Sequence, residues 1–210
     1  MEKWVDTLNL DSHRLIGVDR HLAAQVQVLW AIIDQNQILR AVLEAAAGLM
    51  PPDWYLGAGC IAQTVWNYMS ERDLMVGVKD LDLVYYDAAD LSEETESAYL
   101  QRVREQFGGV SIHIDVKNEA RVHLWYEKRF GYPIKPYSSL EDAINTWPTT
   151  ATSIGVRRSR DESVVYAPYG LNDLFAMVVR PNKKQITREV YEAKARRWLE
   201  SWPSLQIIPW

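Results

Sequence analysis

Apolar residues change their period repeatedly along this 210-residue chain, and that alternation limits its fold more than any other feature. From Leu22, the residues Val26, Leu29, Ile32 and Ile33 recur at helical spacing. A polar break at Asp34-Gln35-Asn36 follows, and Ile38, Leu39, Val42, Leu43 and Ala46 resume the pattern until Gly48 and Pro51-Pro52 stop it. Trp54-Tyr55-Leu56 reads as a short strand entering Gly57-Ala58-Gly59, and Cys60 to Tyr68 as a helix. A second strand is predicted over about Val78 to Tyr86. Ser92, with Glu93, Glu94 and Glu96 behind it, starts a helix that Gly108-Gly109 ends. Val110 to Val116 alternates as a third strand, and Arg121 to Phe130 is helical up to Gly131. The capping-box spacing Ser138-Ser139-Leu140-Glu141 opens a short helix. Thr150 to Arg157 and Ser163 to Tyr166 read as strands, and Leu171 to Val178 and Arg188 to Trp202 as helices. Strands alternating with helices predict a sheet covered by helices rather than a bundle or a sandwich.

Residues 1–20 carry no clear period and read as an N-terminal arm, leaving 21–210 as one domain without repeats or linkers. Twenty-three Lys and Arg against 28 Asp and Glu give a net charge of −5, which argues against long nucleic acid as a partner. Cys60 is the only cysteine, so neither an internal disulfide nor a multi-cysteine zinc site can form. The polar start of the chain and the lack of any apolar run of about 18 residues predict neither a secretory signal nor a membrane span. The expected home is cytoplasmic.

Chemistry concentrates between Tyr55 and Leu83. In a strand, residues i and i+2 face the same way, so Asp80 and Asp82 project together while Leu81 and Leu83 face the core. An Asp-x-Asp pair is often just a solvated strand end. A third carboxylate changes the weighting, because Asp115 shares a strand face with His113 and Lys117, opposite Ile112, Ile114 and Val116. If the two strands are neighbours, the three aspartates meet around one or two metal ions of the magnesium type. The Gly57-Ala58-Gly59 turn into a helix frees backbone N–H groups to face an anion, although such a turn also arises for backbone reasons alone.

The order of strand, Gly-rich turn, helix, Asp-x-Asp strand and single-Asp strand resembles the polymerase-beta-like nucleotidyltransferase superfamily. Within it, the chain is most similar to a bacterial nucleotidyltransferase-like family formerly catalogued as a domain of unknown function. The supporting segments are Trp54-Tyr55-Leu56-Gly57-Ala58-Gly59, Thr64-Val65-Trp66-Asn67, Val78-Lys79-Asp80-Leu81-Asp82, Ile154-Gly155-Val156-Arg157, Asn172-Asp173-Leu174-Phe175 and Val179-Arg180-Pro181-Asn182. Together they cover about Ile38 to Trp202. The resemblance implies an α+β nucleotidyltransferase-like fold, a mixed sheet with flanking helices. It also implies metal-dependent transfer of a nucleoside monophosphate from an NTP to an acceptor hydroxyl, here best read as a small molecule's. It makes Asp80 and Asp82 the metal-binding pair, Asp115 the third carboxylate, Mg²⁺ (or Mn²⁺) the cofactor, Gly59 the phosphate-loop glycine and the Gly59-Cys60 turn the phosphate-binding site. Cys60 stands where the superfamily usually has Ser or Gly, and the stretch from Gly59 to Asp80 is longer than the common spacing. The other expectation to test is a nucleotide-binding or interaction module on the same fold without turnover.

Four further residues are candidates for lining such a site. Gln63 and Asn67 lie one and two turns into the helix, His113 shares the Asp115 face, and Arg157 belongs to a basic run ending a strand. Lys79 is expected to point to the opposite strand face and be solvated. A helix N-terminus lowers a thiol pKa, but no histidine is near Cys60 in sequence, so a catalytic thiol is not expected.

Overall fold

A computed structural model of the protein describes residues 17–107, 112–159 and 162–210. Five strands form one sheet: β1 (Trp54–Gly57), β2 (Asp80–Tyr85), β3 (His113–Asn118), β4 (Gly155–Arg158) and β5 (Ser163–Tyr166), in the order β3-β2-β1-β4-β5. β2 and β3 run parallel and the other neighbours antiparallel, so the sheet is mixed. The helices are α1 (Leu22–Gln35), α2 (Gln37–Leu49), α3 (Gly59–Met69), α4 (Glu93–Gln106), α5 (His123–Phe130), α6 (Leu140–Ile144), α7 (Asn172–Phe175) and α8 (Arg188–Ser201). The two-residue strands β6 (Val178–Val179) and β7 (Gln206–Ile207) pair in parallel beside α8.

The break expected at residues 34–36 is a helix boundary. The Asn36 side chain accepts hydrogen bonds from the backbone N–H of Ile38 and Leu39, both at 3.1 Å, capping α2. Its amide donates to Thr64 Oγ1 on α3 at 3.1 Å, so the cap also ties the first helices to the third. α1 packs on α3, and α2 on α4 and β4. Trp54, Leu56, Leu81, Leu83, Ile114, Val116 and Val156 meet these helices in the main core. On the other face of the sheet Tyr55 and Val84 pack on Leu140 and Ile144 of α6, and α5 lies beside α6 through Tyr126 and Ala143.

Of the proposed arm, residues 1–16 lie outside the described residues. Residues 17–20 are held against the domain: Gln25 Nε2 donates to the Gly17 carbonyl at 2.8 Å, and Asn172 Oδ1 accepts from Asp19 N at 2.8 Å. The Gly108-Gly109 stop also lies outside the described residues. The strand expected over Thr150 to Arg157 is shorter, beginning at Gly155. Before it, Thr149 Oγ1 bonds Thr152 Oγ1 at 2.8 Å, and Ser153 Oγ donates to the Thr149 carbonyl at 2.9 Å. These hydroxyls offer the backbone turn partners in place of a ladder. The helix expected over Leu171 to Val178 is one turn, ended by Met177 at φ +55°. No helix among the described residues is long and apolar enough to cross a membrane.

Candidate active site

The strand faces divide as the alternation predicts. Leu81 and Leu83 are fully buried in the core, and Asp80 and Asp82 emerge on the opposite face. Register then assembles the site. Gly57 of β1 pairs with Asp82 of β2, which pairs with Asp115 of β3, and Asp80 pairs with His113. Residues opposite each other on one face have Cβ atoms about 5 Å apart, so three strands set a glycine and three carboxylates side by side. Gly57 has to lack a side chain, because a Cβ there would lie 2.7 Å from the Trp147 ring and 2.8 Å from the Ile154 carbonyl.

The turn after β1 is strained. Ala58 sits at φ +56°, ψ −126°, a conformation L-residues rarely adopt, held by its N–H donating to the Ile154 carbonyl at 2.9 Å. No side chain caps α3, whose first residue is Gly59, so its leading N–H groups and helix dipole face the space beside Asp80 and Asp82. Gln63 lines the same space, with its amide nitrogen within 3.1 Å of where a Gly59 Cβ would stand.

Burial, and then the like charges of Asp115 and Asp80, push the Asp82 carboxyl up to about 6. The neighbouring carboxylates have other company: Lys117 Nζ is 3.4 Å from Asp115, and His113 Nδ1 is 3.5 Å from Asp80. As the side chains lie, no three His, Cys, Asp or Glu among the described residues converge on one point suited to a metal ion. The donor chemistry nonetheless fits a hard divalent cation. The oxygens come from Asp80 and Asp82 on one strand face and Asp115 in register beside them, and Asp82 carries repulsion that a cation would relieve.

Two cavities meet over this row, sharing Ala58, Asp82, Pro148 and Lys194. The smaller, about 180 Å³, is bounded by Gly59, Asp80, Lys79, Lys194 and Arg197. The larger, about 320 Å³, has Asp115 at its edge and aromatic walls including Trp125, Tyr126 and Trp147. Lys194 and Arg197, three residues apart on α8, were not picked out in the sequence, although their spacing places them on one helix face. Burial, and then Arg197 beside it, holds the Lys194 ammonium below the ordinary lysine range. Lys79 is exposed, in keeping with a solvated side chain, but it is not turned away from the site. It lies just before β2 begins at Asp80, where strict alternation has not started, and it lines the smaller cavity.

Two candidates do not reach the site. Asn67 is fully buried; its amide donates to the carbonyls of Leu74 (3.1 Å) and Val76 (2.7 Å), and its Oδ1 accepts from Trp202 Nε1 at 2.8 Å. It is a brace for the 70–79 loop and the end of α8. Asn67→Ala would strand the buried Trp202 indole N–H and remove a donor from two partly buried carbonyls, and we expect it to cost about 3 kcal/mol. That corresponds to a Tm lowered by about 6–12 °C on thermal denaturation; a fall below about 3 °C would refute the bracing role. Arg157 pairs with Asp53 at 3.7 Å, lies 5.2 Å over the Tyr55 ring and borders a different cavity. His113 stands at the exposed rim beside Asp80, with Nε2 3.1 Å from Arg104 Nη2. The Cys60 thiol faces inward, fully buried, donating to the Gly57 carbonyl at 3.2 Å, with burial raising its pKa well above the usual thiol range. It is therefore neither a side-chain phosphate ligand nor a nucleophile, and only the backbone at Cys60 belongs to the turn.

A family model described as nucleotidyltransferase matches residues 44–207. Comparison with curated proteins gives no match. Among solved structures, an NMR structure described as revealing a CCA-adding enzyme head domain superposes with a TM-score of 0.72 at 24% identity. The match covers 88% of this chain and 96% of that one, and it establishes the shared fold.

Proposed function

The chain belongs to the nucleotidyltransferase family, and from that premise we propose that it moves a nucleoside monophosphate from an NTP to the hydroxyl of a small-molecule acceptor. The observation that carries this reading is the Gly57–Asp82–Asp115 row across three strands, with Asp80 beside it and an uncapped helix N-terminus adjoining. Asp80 and Asp82 would hold Mg²⁺ (or Mn²⁺), with Asp115 completing the carboxylate set. When bound, the ion would neutralise triphosphate charge and acidify the acceptor hydroxyl.

The smaller cavity suits the triphosphate. Backbone N–H groups at the Gly59-Cys60 turn face its oxygens from one side, and Lys79, Lys194 and Arg197 supply positive charge from the other. Asp115, at the edge of the larger cavity, orients the acceptor hydroxyl and holds its departing proton. The acceptor oxygen forms its bond to the α-phosphorus as the bond to the β-phosphate bridge breaks. Pyrophosphate leaves towards Lys194 and Arg197, in line with the attack. The chain's −5 charge and the modest size of the larger cavity, about 320 Å³, favour a small acceptor over long nucleic acid.

Incubation with α-labelled NTPs, Mg²⁺ and a small-molecule extract should move label onto an acceptor with release of pyrophosphate. In parallel, Mg²⁺ with the preferred NTP should raise the Tm. Stabilisation without label transfer under any divalent metal would instead favour the binding module without turnover, and loss of both would refute the site.

A further inference from the structure

The larger cavity contains a group that nucleotidyl transfer, as described, does not use. Glu119 follows β3 in a 3₁₀ turn (Glu119–Arg121), is only 7% exposed and lines this cavity together with Asp82 and Asp115. Among the described residues none donates a hydrogen bond to its carboxylate or forms an ion pair with it. Nearby charges give it little compensation. Lys117, the nearest cation, is engaged by Asp115 at 3.4 Å and Glu96 at 3.8 Å, and Glu96 also holds Arg121 at 2.8 Å. The other cations lining the cavity lie elsewhere: Lys194 on the ridge shared with the smaller cavity, and Arg129 exposed, 5.7 Å over the Phe130 ring.

A buried carboxyl without a partner is costly unless something satisfies it. The surroundings limit what that can be. The walls are the rings of Trp125, Tyr126, Phe130, Tyr137 and Trp147, whose faces attract cations. Tyr137 Oη is paired with Thr146 Oγ1 at 3.0 Å and with Gln185, so it is already committed. A space of about 320 Å³ accommodates a molecule of one ring with its substituents.

Resting on the nucleotidyl-transfer reading, we propose that this cavity is the acceptor subsite and selects a small hydroxylated acceptor bearing a primary ammonium group. An amino sugar or an aminocyclitol has this chemistry. The ammonium binds the Glu119 carboxylate within the aromatic walls, while a ring hydroxyl on its other side meets Asp115. Glu119 is then a specificity-determining residue that sorts acceptors by charge and takes no part in breaking the phosphoanhydride.

The test uses matched pairs of probes: glucosamine against glucose, galactosamine against galactose, and 2-deoxystreptamine against myo-inositol. Each is titrated by calorimetry into the full chain with Mg²⁺ and a non-hydrolysable NTP analogue. At least one ammonium-bearing probe is expected to bind at least tenfold tighter than its neutral partner. Glu119→Gln, close in shape, should erase that preference, and Glu119→Asp should retain part of it. Equal affinity within every pair, absence of binding by all three amines, or a preference that survives in Glu119→Gln overturns the proposal. Binding of the NTP analogue to the wild-type chain is read in the same experiment. If the analogue binds and the amines are not preferred, only the acceptor inference fails. If the analogue does not bind, the nucleotidyl-transfer reading fails, whatever the sugars do.

Discussion

Replacing Asp82 with asparagine is expected to make the metal-free protein more stable at pH 7 while lowering nucleotidyl transfer by at least about 10³-fold, a loss on the scale of removing a central electrostatic group from such a site. Both effects have one origin. Asp82 is pushed up to about 6 first by burial and then by Asp115 and Asp80, so the folded state holds a proton on it more tightly than the unfolded state does. The stability that this proton binding contributes is fully present below about pH 4 and is lost as pH rises through about 6. Discounting for water in the two cavities, the difference between the variant and the wild type at neutral pH should be on the order of 1–2 kcal/mol. The Tm of Asp82→Asn should therefore exceed the wild-type value by about 3–6 °C at pH 7, and the gap should close by about pH 4. Saturating Mg²⁺ should narrow it at pH 7 by stabilising only the wild type. A variant less stable than wild type at pH 7 without metal would mean that Asp82 is a structural acceptor rather than a strained ligand.

Local periodicity made the carboxylates readable before any contact was known. Leu81 and Leu83 alternate with Asp80 and Asp82, and Ile114 and Val116 with Asp115, because one buried face forces the polar residues onto the other. That the two strands are neighbours was an inference from motif order, and the parallel register supplies it. What stayed hidden depends on long-range packing. Asn67 falls on a helix facing polar residues a turn away, and nothing local indicates that Trp202 covers it from 135 positions further on. Lys194 and Arg197 have a common-face spacing. Which face of α8 meets the cavity is decided by Trp66 packing against Trp198 and Trp202, each at 5.6 Å between ring centroids. Glu119 follows a strand in a short turn without period, and its burial comes from α5 and α6 closing over it. Lys79 borders the smaller cavity because β2 begins at Asp80, two residues later than the strand expected from Val78, and Cys60 shows that a thiol at a turn can face either the ligand or the core.

The pair on α8 is where removal of charge should be felt most strongly on nucleotide affinity. Lys194 is held below the ordinary lysine range by burial and by Arg197, and a polyanion in the smaller cavity would reverse that by drawing both cations into charge-assisted hydrogen bonds. Each such bond contributes about 1.5–3 kcal/mol. Converting both residues to methionine keeps most of the stem volume, and it should lose about 3 kcal/mol of binding, or roughly 10²-fold in the Kd of a Mg²⁺–NTP analogue. The effect should fall mainly on Kd and KM for the NTP, with a smaller change in kcat, because the phosphates bind these cations before and during transfer. The matching nucleoside, which lacks phosphates, should bind both proteins alike. Arg196→Met is the control on the same helix: Arg196 is exposed, borders neither cavity, and its loss removes one surface charge without touching the site. Calorimetric titration of both ligands into wild type, the double variant and Arg196→Met separates local contact from general charge. If the double variant binds the NTP analogue within threefold of wild type, the triphosphate does not lie against α8. The anion would then have to be held by the Gly59 turn and the carboxylate-bound ion alone.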